Sequence, residues 1–230
     1  MKYCPGGTLA HHLKHQKKLF MNERVAKFYI AELICALSGL HSKLIVHRDV
    51  KPKNILFDEA GHIHLADFST IKKLRQRANY LVDSKAGTHL YRAPEVTQSR
   101  LYGFSCDYYP VGVILYEMLH GSHPHQAGSD MVAVSSTKLY HLSKKLSDEC
   151  RSLLTALLQR DPCKRIGCAD NSPTGWEAVK AHEFFNDINW KKLVKKKVKP
   201  PLTIERRELK PLPGKDIRKL EQKVCCSLSL

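Results

Sequence analysis

No apolar run in this 230-residue chain is long enough to cross a bilayer. The most apolar stretch, Val111-Gly112-Val113-Ile114-Leu115, is five residues long, against about 20 for a membrane-spanning helix. The N-terminal Met1-Lys2-Tyr3-Cys4-Pro5-Gly6-Gly7 has no apolar segment of the secretory kind. Eight cysteines are present but, apart from Cys225-Cys226, they are scattered without the spacing of a disulfide framework, so reduced thiols in a cytoplasmic protein are expected. Cys163 and Cys168 resemble half a zinc site that nothing nearby completes. Acidic residues are scarce, with 22 Asp and Glu against 38 Lys and Arg for a net charge of +16. Phe and Tyr are missing beyond Phe185, which leaves the basic C-terminal region without stacking platforms, so no nucleic-acid partner is expected.

The positive charge is unevenly placed. Residues 191–230 carry thirteen Lys or Arg and four Asp or Glu, hence +9, and the preceding 190 residues carry +7. The lysine run from Lys191 to Lys199, then Pro200-Pro201, is read as the start of a basic tail. Two readings stand for it: a solvated tail packed on the domain, or a surface for anionic membrane lipid.

Periodicity predicts a mostly α chain with one small β-hairpin. Asn22 is placed to cap a helix with Val25, Phe28, Leu33, Leu37 and Leu40 near helical spacing. Asp58-Glu59-Ala60-Gly61 is a turn leading into His62-Ile63-His64-Leu65, an alternating strand whose two histidines are expected to face solvent. Residues 70–92 read as a long polar segment, and Asp107 to His120 as a buried helix closed by Gly121. Ser147 is placed to cap a helix with Leu153, Leu154, Leu157 and Leu158 inward.

The chemistry concentrates in His47-Arg48-Asp49-Val50-Lys51-Pro52-Lys53-Asn54, followed thirteen residues after Asn54 by Asp67-Phe68-Ser69. These residues supply a carboxylate to accept a proton, a cation for a migrating phosphoryl group, and an amide and a second carboxylate for Mg²⁺. The two motifs at this spacing resemble the catalytic loop and metal-binding turn of protein kinases, and the resemblance runs from residue 1 to about residue 195. It implies a kinase C-lobe fold (α+β, largely helical), with ATP and Mg²⁺ as cofactors and a protein Ser or Thr hydroxyl as acceptor. Asp49 would be the base, Lys51 would neutralise phosphate charge, and Thr88 would bond both. Asn54 and Asp67 would hold the metal. His47, Arg48 and Phe68 would support them.

Gly87-Thr88-His89-Leu90-Tyr91-Arg92-Ala93-Pro94-Glu95 resembles the loop that positions a kinase substrate. By resemblance Glu95 would pair with Arg165, Asp107 would hold the catalytic-loop backbone, and Ser84 would be an activation-loop phosphosite facing Arg48. Lys51 marks the serine/threonine class. The ending His182 to Leu193, then Val198-Lys199-Pro200-Pro201, is similar to the AGC group, nearest its ribosomal-protein kinase branch.

Several residues depart from the pattern. Pro110 stands early in a helix, where proline suits only the first turn, so a shifted helix start is expected. Ser69 replaces a glycine, and a positive φ there would cost about 1–2 kcal/mol. Lys53 and Thr8 replace acids, which weakens selection for arginine-rich substrates.

Residues 1–8 resemble the hinge of a kinase, with Met1, Lys2, Tyr3 and Cys4 along the adenine and Leu56 beneath it. No Gly-rich phosphate loop or strand lysine precedes them in these 230 residues. The expectation is therefore a hinge segment 1–8, a C-lobe-like domain 9–190 and a tail 191–230, without an N-lobe and with little turnover by itself. The alternative is a non-catalytic, pseudokinase-like binding module or competitor. Either could be recruited to membrane through the basic tail, aided by acylation of Cys225 and Cys226.

Overall fold

Two long helices carry the architecture of the computed structural model, which describes residues 4–15, 21–75, 81–82, 84–98, 100–124, 142–168 and 172–204. Met1, Lys2, Tyr3, Cys225 and Cys226 lie outside the described residues. After α1 (Leu9–His15), α2 (Glu23–His41) is capped by Asn22, whose side chain accepts the Val25 N–H. The stripe that α2 buries runs through Ala26, Ile30, Leu33, Ile34, Leu37 and His41, while Val25 and Leu40 flank it. Two short antiparallel pairs follow: β1 (Ile45–Val46) with β4 (Lys72–Lys73), and the hairpin of β2 (Ile55–Phe57) with β3 (Ile63–Leu65). In the hairpin Ile55 faces Leu65 and Phe57 faces Ile63. Strand β4 falls in the stretch, residues 70–92, read as a long polar segment. Lys72 and Lys73 are both exposed there and supply main chain, not apolar side chains, to the pairing, so periodicity could not reveal it.

After the short α3 (Pro94–Thr97), α4 (Ser105–His120) is almost wholly buried and packs against α2 and against α5 (Asp148–Leu157). At the α4–α5 crossing a Cβ on Gly112 would approach the Leu157 Cβ to 2.8 Å, so glycine sets how closely these helices meet. Helix α4 starts at Ser105, two residues before Asp107, and Pro110 lies inside it beyond the first turn. The start is shifted upstream, away from the position that would seat proline comfortably, because the Asp107 carboxylate has other partners to reach. Ser147 caps α5, accepting the Cys150 N–H, and is itself held by both carboxylate oxygens of Glu23.

The histidines of the hairpin are not a solvent-facing pair. His62 is buried with Nδ1 2.6 Å from Glu32 of α2, whose other oxygen accepts the Ile63 N–H at 2.9 Å. His64 Nε2 lies 2.9 Å from Asp58 Oδ2, which also accepts from Lys196 at 3.0 Å. Carboxylates off the strand, Glu32 of α2 and Asp58 of the hairpin turn, decide these orientations, and strand alternation carries no trace of them.

The boundary expected at residue 191 falls inside a helix. After α6 (Trp176–Lys180), α7 (Trp190–Val194) buries Leu193, and Leu202 and Ile204 pack on the core. Pro200 and Leu202 lie over Gly61, and Ile204 over Gly6. Residues 191–204 are part of the domain; their apolar positions are masked in the sequence by the lysines between them.

Two buried or helical sites set opposite stability expectations. Arg165, almost fully buried, forks onto Glu95 at 2.6 and 2.9 Å and also reaches the Ser105 carbonyl. Arg165→Met leaves Glu95 buried and unpaired, with an expected loss of about 3–5 kcal/mol. Gly39 is exposed within α2 with open space where a Cβ would stand, so Gly39→Ala is expected to gain about 0.5–1 kcal/mol. Urea unfolding of the two variants beside the parent checks both signs.

Candidate active site

The segment between β1 and β2 is pinned from beneath by α4. Fully buried Asp107 accepts the His47 N–H on Oδ2 and the Arg48 N–H on Oδ1, each at 2.8 Å, and His41 Nε2 lies 2.9 Å from Oδ2. Burial pushes the Asp107 carboxyl up, but His41 and the other donors outweigh it and hold the pKa below the usual range. Arg48 has φ 70°, a left-handed conformation that costs a non-glycine residue about 1–2 kcal/mol. The paired amides on Asp107 offset that strain. His47 is buried, with Nε2 3.1 Å from the Ala66 carbonyl and Nδ1 accepting the Asp49 N–H at 3.3 Å.

This turn projects Asp49 into a ring of donors. Its Oδ1 accepts the N–H and the hydroxyl of Thr88, both at 2.7 Å, and its Oδ2 accepts Lys51 Nζ at 2.6 Å and the Asn54 amide at 3.2 Å. Lys51 also donates to Thr88 Oγ1 at 2.6 Å. Burial alone would raise the Asp49 pKa; hydrogen bonds from Lys51 and Thr88 reverse the direction and keep it below the usual carboxylate value. Asp49 is therefore an anion at neutral pH.

Asn54 also donates its amide to the Asp49 carbonyl at 2.8 Å, so Asn54 Oδ1 is the oxygen not engaged with Asp49. Asn54 ends a 3₁₀ turn, Pro52–Asn54, and its carbonyl accepts the Ala66 N–H at 2.8 Å. That bond brings Asp67 to the same end of the hairpin. Asp67 is exposed with φ 63°, and its Oδ1 accepts the Ser69 hydroxyl at 2.6 Å and the Ser69 N–H at 3.3 Å. The strained backbone expected at Ser69 sits instead at Asp67, a residue type that tolerates it, and Ser69 contributes a hydroxyl that orients the carboxylate. Phe68, 47% exposed, lies edge-on to His47 with ring centroids 5.6 Å apart. Leu56 is half-buried in β2 and forms an isolated bridge with Thr8, and Cys4, four residues before Thr8, is partly buried.

The loop of Thr88 is seated by close approach. Gly87 has φ 86°, and a Cβ there would come within 2.1 Å of the Arg48 carbonyl oxygen, so glycine alone fits. Arg92 donates to the carbonyls of Ala86 and Gly87. Arg48 Nη1 donates to Ser84 Oγ at 2.8 Å, which places the serine hydroxyl against the guanidinium. A cleft beside Asp49 is lined by Thr88, Tyr91, Arg92, Val96 and Pro110.

Tyr91 of this cleft and Glu117 behind it form a pair that escaped the sequence reading. The Tyr91 hydroxyl bonds both Glu117 oxygens, at 3.0 and 2.9 Å. Glu117 is the lone charged residue between Asp107 and His120, and an isolated acid on an apolar helix was a usable signal. Burial pushes its pKa up to about 7, against a smaller lowering by Tyr91. The folded state then holds a proton that the unfolded chain releases between the ordinary value of 4.5 and about 7, so this group withdraws stability as pH rises through that window. Relative to the parent, Glu117→Gln is expected to flatten the decline by about 1–3 kcal/mol. Urea midpoints measured across that window check it, and parallel curves would exclude it.

The protein kinase domain family matches residues 1–185. Ribosomal protein S6 kinase alpha-2 of Mus musculus is 41% identical over 205 residues, covering 87% of this chain and 27% of the relative. Serine/threonine-protein kinase AtPK2/AtPK19 of Arabidopsis thaliana is 38% identical over 201 residues, covering 87% and 41%. Protein kinase 3 of Dictyostelium discoideum is 40% identical over 214 residues, covering 87% and 22%. The chain thus spans less than half the length of these relatives. With a kinase domain match across most of its length and ribosomal S6 kinases among its relatives, the chain belongs to the protein kinase family, in its AGC serine/threonine group.

Proposed function

We propose that Asp49, Lys51, Asn54 and Asp67 form the acceptor side of a site that moves the γ-phosphate of ATP to a protein Ser or Thr hydroxyl, on a helical C-lobe. The observation that carries this reading is the simultaneous grip of Lys51, Asn54 and Thr88 on the Asp49 carboxylate. The donors at the hairpin end are hard oxygens, one exposed carboxylate and one amide oxygen, which suit Mg²⁺ with phosphate and water completing the shell. When bound, Mg²⁺-ATP supplies the phosphoryl group and the metal that screens its charge.

Asp49 orients the acceptor hydroxyl. Its lowered pKa makes it a weak base early in the reaction, so it takes the proton late, once the oxygen has begun to bond phosphorus. Lys51, already between Asp49 and Thr88, faces the negative charge on the transferring group. Thr88 keeps the Asp49 carboxylate aimed, and the Arg48–Ser84 contact is a place where a phosphate on Ser84 would be held by a fixed cation. Cys4 and the segment through Thr8, which bridges Leu56 of β2, would be the described part of the hinge for adenine.

Titration of the 230-residue polypeptide with a fluorescent ATP analogue, with and without Mg²⁺, tests the reading. Binding is expected to need Mg²⁺ and to weaken at least about tenfold in Asp67→Asn and Asn54→Ala. Metal-independent binding, or none, would favour a non-catalytic binding module.

A further inference from the structure

The surface around Asp49 is cationic in a way the phosphoryl-transfer step does not need. Lys53 follows Lys51 on the 3₁₀ turn and is exposed; Lys85 and His89 are exposed on either side of the Gly87-Thr88 pair that touches Asp49. Arg92 is bound by main-chain carbonyls only. Among the described residues, none of Lys53, Lys85 and Arg92 is paired with a carboxylate.

The acids around Asp49 are engaged. Asp49 itself is held by Lys51, Glu95 by Arg165 and the Glu117 carboxyl by the Tyr91 hydroxyl, while the exposed Asp67 carboxylate is bonded to Ser69 and is the group read above as a metal ligand. An arginine or lysine beside an incoming hydroxyl would meet three uncompensated cations and no unengaged carboxylate among these residues. An aspartate or glutamate in the same segment would meet partners of opposite charge, Arg92 in the cleft itself and the lysines on the adjoining turns. The net charge of +16 also steers an acidic segment toward the protein.

We propose that the protein segment accepted at Asp49 is acidic, its Asp and Glu side chains docking on Lys53, Lys85, His89 and Arg92. This specificity rests on the reading of Asp49 as the acceptor-side carboxylate, and it inverts the preference for basic flanks.

Fluorescence anisotropy with the 230-residue polypeptide tests it through binding, without requiring turnover. Three labelled serine peptides are compared at low salt, identical except for Glu, Ala or Arg flanks. The Glu peptide is expected to bind about tenfold tighter than the Ala peptide, with the gap closing as salt rises. The paired reversal Lys53→Glu, Lys85→Glu is expected to erase that advantage, while Lys191→Glu, Lys192→Glu on exposed α7 leaves it unchanged. Equal or tighter binding of the Arg peptide overturns the proposal, as does loss of the preference only on reversing α7, or no binding of any peptide. A peptide bearing phosphoserine flanks distinguishes carboxylate from phosphate recognition; binding of that peptide alone also overturns it. Mg²⁺-ATP titration of the same samples separates the two levels: nucleotide binding with an Arg preference defeats the specificity alone. An acidic preference without Mg²⁺-dependent nucleotide binding defeats the kinase reading, and with it the assignment of this face to a substrate.

Discussion

The fully buried Asp107 carboxylate is the contact on which the active-site geometry depends. It receives two consecutive main-chain amides, from His47 and Arg48, and the ring of His41. Consecutive amides point to one anion only when the backbone between them is turned sharply, and the left-handed Arg48 is that turn. The next residue, Asp49, emerges where Lys51, Asn54 and Thr88 can reach it. The start of α4 upstream of Asp107 and the tolerance of Pro110 within it follow from the same demand. An aspartate placed one turn away would have no amides to bind.

Burial and positioning here are carried by different kinds of contact. The apolar mass lies in α2, α4 and α5, whose packing is close enough at Gly112 to exclude a methyl group. The loops that bring Asp49 and Thr88 together have little apolar surface and rely on hydrogen bonds and one glycine-sized gap, where Gly87 meets the Arg48 carbonyl. The fork of Arg165 on Glu95 ties the end of the Thr88 loop to a segment 70 residues away.

Helix caps and the grouping of Asp49, Lys51 and Asn54 were legible from the sequence because their logic is local. Asn22 and Ser147 cap helices across three residues, and the 3₁₀ turn Pro52–Asn54 brings Asn54 back onto Asp49 five residues earlier. Glu95–Arg165 was legible only through family resemblance, since nothing local pairs residues 70 apart. The hairpin histidines were misread because Glu32 reaches His62 from α2 and Asp58 of the hairpin turn folds back onto His64. Strain was expected at Ser69 and lies at Asp67, because a glycine-to-serine difference signals that a turn is present without saying which residue adopts it. The end of the domain was obscured by lysines whose stems and neighbours pack while their charges stay wet.

The bonds from His64 and Lys196 to Asp58 tie the last packed segment to the hairpin that carries Asn54 and Asp67. A polypeptide shortened to residue 190 would therefore lose more than a ragged end. It would uncover Gly6 and Gly61, strip Leu202 and Ile204 from the back of the hairpin, and take from the buried Asp58 carboxylate its lysine, leaving His64 and the Ala60 and His62 amides. The minimal folding unit of this protein accordingly extends into what composition alone marks as tail.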